Sequence, residues 1–172
     1  MTPAVVVSRA TLAEKPAIDG LFQFYAYHFS AFEDAASDDL DFGPNGLFEP
    51  FEWMETYFTH PSRSAHLIRV GGKLAGFILL NAESHCGAEI DVNIGEFFVA
   101  QKFRRWGVGA EALRQITAGR PGRWEAAILR ANVSAQAFWP GAIAAVPGVR
   151  HITTTDCNGD GWNGPVLHFT VP

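Results

Sequence analysis

The densest grouping of chemistry-bearing residues lies between Lys102 and Ala110, where Lys102, Arg104, Arg105 and Trp106 precede Gly107-Val108-Gly109-Ala110. Glycine lets the main chain approach a ligand because no Cβ stands in the way. The first amides of a helix lack acceptors within it and sit at its positive end, so a helix opening at Gly107 would attract an anion. Arg104 and Arg105 add charge and paired donors that match phosphate oxygens. The combination suits a pyrophosphate. The competing reading is a surface helix start that merely contains two glycines and two arginines. Its weight falls because Ile94 to Val99 reads as a strand, so strand, basic loop and helix start follow in order.

Gly107-Val108-Gly109-Ala110-Glu111-Ala112 also fits the dinucleotide pattern G-x-G-x-x-G/A. That pattern needs a tight turn directly off the strand, and here Ala100 to Trp106 intervene. It also needs an acid about 20 positions on, at the end of the next strand; Glu125 instead begins one. Only 63 residues follow Gly109, too few for a full doubly wound sheet.

Asp156-Cys157-Asn158-Gly159-Asp160-Gly161 matches the first half of a calcium loop, but the twelfth position is Leu167 and the flanks are strand-like. A hairpin turn explains it better. His85-Cys86 with Cys157 or His151 has no metal-ligand spacing, so no metal is expected. No Ser or Cys occupies a nucleophile elbow.

The elements that must position these groups are legible from pattern. Val5 to Arg9 is a strand, and Thr11 with Glu14 forms a capping box for a helix over Leu12 to Phe29. Ala31 to Pro50 is an acidic, turn-rich loop, and Glu49 to Phe58 reads as a second helix. Ser64 to Val70 and Lys73 to Leu80 form a hairpin through Gly71-Gly72. Ile90 to Val99 reads as a strand with a bulge or close approach at Gly95. Gly107 to Ala118 is a helix and Trp124 to Leu129 a strand. Asn132 caps a helix toward Ala145 that Pro140 should kink or shorten. Val149 to Thr155 and Pro165 to Val171 are the last strands. The whole is one α/β (α+β) domain over residues 1–172, a mixed sheet with helices on both faces.

A chain of 172 residues, 48% hydrophobic and 18% charged, buries a core without staples. The net charge of -5 argues against a nucleic-acid footprint. Two cysteines are too few for a disulfide framework, so a reduced compartment is expected. Met1 to Val7 lacks the basic and apolar regions of a secretory leader, and no apolar run is long enough to span a bilayer. The expectation is a cytoplasmic protein with no membrane partner.

Arg104-Arg105-Trp106-Gly107-Val108-Gly109 resembles the R/Q-x-x-G-x-G/A signature of the GCN5-related N-acetyltransferase superfamily. Glu96-Phe97-Phe98-Val99 resembles the end of that family's fourth strand, and Asn132, Ala135 and Phe138 match its N-x-x-A-x-x-F. Pro121 to Trp124 and Trp162 to Pro165 resemble a bacterial branch of it. The resemblance covers nearly the whole chain. It implies a mostly antiparallel sheet of six or seven strands whose central strands splay. It implies acetyl-CoA as co-substrate, with pantetheine on Phe98, Val99 and Ala100 and pyrophosphate on the amides from Arg105 to Ala110. Asn132 and Phe138 would help hold the coenzyme arm, and an amide near Phe98 would stabilise the oxyanion.

The resemblance further implies an amine acceptor, small molecule or protein, and Glu96 as the base beside the acetyl group. Tyr25, Tyr27, His28, Phe32 and the acids Glu33, Asp34, Asp38 and Asp39 fall where the family builds its acceptor pocket, where carboxylates and aromatics suit a cation. Members often pair, so a homodimer is an expected assembly. One departure matters: Trp139 replaces the tyrosine that protonates the leaving thiolate, and an indole is no practical proton source. A non-catalytic acyl-CoA-binding module is therefore the alternative function.

Overall fold

The computed structural model describes residues 4–159 and 161–172. Met1 to Pro3, within the leader reading, and Asp160, within the calcium-like turn, lie outside the described residues. Seven strands, β1 (Val5–Arg9), β2 (Ser64–Val70), β3 (Lys73–Asn81), β4 (Val92–Val99), β5 (Gly122–Ala127), β6 (Arg150–Gly159) and β7 (Trp162–Val171), form one sheet. Its order is β1-β2-β3-β4-β5-β7-β6. Every pairing is antiparallel except β4 with β5. That order excludes a doubly wound dinucleotide fold.

Alternation along the strands builds two cores, as a pleated sheet requires. Phe77 and Leu79 of β3 join Leu67, Phe98 and Ile18 beneath α1 (Lys15–Ser30) and α2 (Thr56–Thr59). Ile78 and Leu80 join Leu113, Trp124, Ile143 and Phe169 beneath α3 (Val108–Thr117) and α4 (Val133–Ala144).

The site depends on how β4 and β5 meet. Their parallel pairing spans only Val92–Ile94 against Trp124–Ala126. Beyond Ile94 the strands part, and Gly95 to Val99 has no strand on that side. On the other side β3 follows β4 with a register shift, Leu79 facing Glu96 and Leu80 facing Ile94, so Gly95 is the extra residue of a bulge. A Cβ on Gly95 would stand 2.7 Å from Asn81 Nδ2, which is why glycine is needed there.

Several expectations change. The first helix starts at Lys15 after a 3-10 turn, because Pro16 suits a first helical turn; Thr11 and Glu14 do form the capping box. The second helix shrinks to α2. Phe51, Met54 and Tyr57 are spaced by three, and successive turns with Met54 N–H on Phe51 O and Tyr57 N–H on Met54 O satisfy that spacing. Helix α4 runs on through Pro140, which removes a single main-chain bond while buried Trp139, Ala142 and Ile143 hold the helix to the core. Cys86 and Cys157, expected as free thiols, are joined as a disulfide. They lie 71 residues apart, so only the tertiary fold brings them together. Among the described residues no helix is long and apolar enough to cross a membrane.

Candidate functional site

Strand β4 leads through a 3-10 turn (Gln101–Phe103) to α3. Arg105 and Gly107 both take left-handed φ, at 65° and 73°, a conformation that turns successive amides toward one side. Glu111 N–H to Gly107 O is the first main-chain bond of the helix. From Arg105 to Ala110 no amide has an acceptor among the described residues. A Cβ on Gly107 would meet nothing within 4 Å, so the approach is open. Gly109 has another use: a Cβ there would lie 3.0 Å from Phe138 Cζ and 3.7 Å from Phe97 Cε1. The second glycine lets α3 close onto α4 and β4.

The two arginines divide their work. Arg104 is partly buried, with Nε donating to Val99 O at 2.7 Å and its guanidinium 5.8 Å from the Phe98 ring. Arg105 and Trp106 are exposed. Asn132 caps α4, its Oδ1 accepting from Ala135 N–H at 3.1 Å and from Ser134 Oγ. Trp139 is buried with its ring 5.1 Å from Phe97.

Ala100 N–H donates to Ala75 O. Because the main-chain groups of an antiparallel strand alternate sides, Phe98 also turns its amide and carbonyl toward β3. Phe97 and Val99 turn theirs into the gap left by β5.

Glu96 lies on the α1 face, where Tyr25 donates its hydroxyl to Glu96 Oε2. Burial pushes the Glu96 carboxyl up to about 7, against the Tyr25 hydrogen bond and the nearby His85, which lower it. A cleft of about 670 Å³ opens beside it, bounded by Phe51, Trp53, Tyr57, Arg63, His85 and Asn93 among others. Arg63 bridges to Glu83 and to Thr56 Oγ1, with its guanidinium 5.3 Å from the Tyr57 ring.

Of the expected acceptor residues, only Tyr25 reaches Glu96. His28 and Tyr27 line a separate cleft of about 540 Å³ with Phe98, Ala100 and Arg104. Phe32 packs on His28 and Phe29, and Glu33 is exposed. No residue of the acidic loop lines the cleft beside Glu96, and near its end the Phe48 main chain is held to Gln23 of α1 by two bonds. The cleft beside Glu96 is instead walled by Phe51, Trp53, Tyr57 and Arg63, by Glu83, Ser84 and His85 of the β3–β4 loop, and by Gly161.

One missed feature had a signal. Glu125 sits inside the apolar run Trp124-Glu125-Ala126-Ala127 and is fully buried, and a buried acid demands partners. It receives His85 N–H at 2.7 Å, His85 Nδ1 at 3.0 Å, Ser84 Oγ at 2.6 Å and His168 Nε2 at 3.0 Å.

The acetyltransferase (GNAT) family model matches residues 25–140. No curated protein sequence matches the chain. Among solved structures, an acetyltransferase from Thermus thermophilus superposes with a TM-score of 0.67 at 15% identity, covering 98% of each chain. The diaminobutyrate acetyltransferase of Paenibacillus lautus, solved with L-2,4-diaminobutyric acid and coenzyme A, gives 0.62 at 14% identity over 98% of this chain and 96% of that one. A PaiA N-acetyltransferase from Thermoplasma acidophilum, solved with coenzyme A, gives 0.59 at 8% identity over 98% and 99%. At such identities the likeness carries the fold.

Proposed function

The chain belongs to the GNAT acetyltransferase family, and from that premise we propose that it moves an acetyl group from acetyl-CoA to a primary amine of a small molecule or protein by direct attack. The observation that carries this reading is the run of unpartnered amides from Arg105 to Ala110 beside the unpaired edge of β4. The amides suit a pyrophosphate, and the outward groups of Val99 suit the amides of a pantetheine arm. The alternation of β4 moves the oxyanion role one residue from Phe98, to the Phe97 N–H. Transfer forms the C–N bond at the thioester carbon and breaks the C–S bond. Glu96 accepts the proton that the attacking nitrogen sheds, and the thiolate regains one from the cleft.

Arg104 supports the site through Val99 rather than by meeting phosphate directly. Asn132 holds the start of α4, and Phe138 closes on Gly109. A second copy of the chain is one candidate partner. A cytoplasmic setting suits acetyl-CoA use; there the Cys86–Cys157 bond would meet reductants.

A binding-only module is the reading that Trp139 favours. Calorimetry with acetyl-CoA and free-thiol release with an amine panel separate the two. Heat with thiol release supports the transferase. Heat without thiol release supports the binder, and no heat with any CoA species overturns both.

A further inference from the structure

Glu125 lies opposite Asn93, one position before the last β4–β5 pair, so it stands where the two strands part. Burial pushes its carboxyl up, yet the bonds from His85, Ser84 and His168 outweigh burial and bring it down to about 2. An ionised carboxylate only accepts, so the ring nitrogens facing it carry hydrogens: Nδ1 of His85 and Nε2 of His168. In neutral His85 the lone pair is then on Nε2. That atom has no partner among the described residues, and the side chain is one quarter exposed. The ring is held edge-on to Trp162 at 4.6 Å and lines the same cleft as Glu96. Among the described residues the charged or titratable groups around His85 are Glu125 on β5, His168 on β7 behind Glu125, and Glu96, Glu83 and Arg63, which line the same cleft.

We propose that His85, oriented by Glu125, is a second proton acceptor in this cleft, serving amines that arrive as primary ammonium ions. The proposal rests on the transferase reading. An alkyl ammonium with a pKa near 10 is mostly charged at neutral pH and has no lone pair to attack with. Two protons must leave its nitrogen in turn, one before attack and one after, and a single carboxylate holds one at a time. The ammonium N–H proton passes to the His85 Nε2 lone pair, giving an imidazolium whose Nδ1–H still faces Glu125. The imidazolium releases the proton to water at the cleft mouth. The freed amine attacks the thioester, and its second proton passes to Glu96. Glu125 acts through His85 and is a positioning residue.

The test uses the full chain and the variants His85→Gln and His85→Ala with a strongly basic alkyl amine. At pH 7, kcat/KM should fall about 100-fold, within the range for a lost general base, while acetyl-CoA affinity stays unchanged. The loss should vanish as pH approaches the amine's own pKa, and with a weakly basic amine already neutral at pH 7. Added imidazole should restore His85→Ala. Glu125→Gln should share the loss without deepening it in the double variant. Full activity of His85→Gln in an otherwise active enzyme overturns this proposal alone, as does an equal loss with weakly and strongly basic amines. A wild-type protein that releases no thiol with any amine overturns it together with the transferase reading.

Discussion

Replacing Glu96 by Gln keeps the volume and leaves an oxygen to accept the Tyr25 hydroxyl, while removing the charge. Two effects should follow. The first is kinetic: loss of a general base costs about 100- to 10,000-fold in rate, with acetyl-CoA affinity retained. The wild-type rate should rise as pH passes through about 7, where burial places the Glu96 carboxyl. The second effect is on stability. The folded protein holds the Glu96 proton more tightly than the unfolded chain, whose value is near 4.5. The stabilisation from that proton is therefore complete below pH 4.5 and is lost as pH rises to about 7. The difference between about 7 and 4.5, at 1.36 kcal/mol for each tenfold change in proton affinity, amounts to about 3 kcal/mol. Between pH 5 and pH 8 about 2.5 kcal/mol of that is lost, and at about 2–4 °C per kcal/mol for a chain of this size Tm of Glu96→Gln should gain about 5–10 °C on the wild type. Thermal melts of both proteins at the two pH values, beside a thiol-release assay, measure both effects. Parallel dependence of Tm on pH in the two proteins would refute the burial argument, and a full rate in the variant would remove the base.

Gly107→Asp places a carboxylate at the unpartnered amides in a backbone of φ 73°; calorimetry should show acetyl-CoA binding weakened at least about tenfold, with circular dichroism unchanged. Gly109→Val drives methyls into Phe138, whose ring already lies 3.0 Å from a Cβ position; overpacking of this kind costs about 1–3 kcal/mol, and an unchanged Tm would show that α3 and α4 are not closely packed. Cys86→Ser opens a loop closed across 71 residues; the chain-entropy relation gives about 4 kcal/mol, so the urea midpoint should drop to that of the reduced wild type.

Local chemistry made much of this molecule readable from its residues. The Gly71-Gly72 turn, the Thr11–Glu14 box, the Asn132 cap and the bulge at Gly95 each depend on neighbours in the chain, and each forms. The run of amides without acceptors from Arg105 to Ala110 was legible for the same reason, since the geometry of a helix start is a short-range property. What tertiary structure alone decided is which distant residues share the cleft beside Glu96. Tyr25 of α1 meets Glu96 by a hydrogen bond, no residue of the acidic loop lines the cleft, and His85, Arg63 and Trp53 arrive from segments with no marked pattern. The outward amide of β4 belongs to Phe97 rather than Phe98 because hydrogen-bond parity is set by pairing with β3. Cys86 meets Cys157, and Glu125 meets His85 and His168, only after the sheet has assembled. Sequence pattern reports the period of a strand or helix, and that period carries no record of which loops will converge above it.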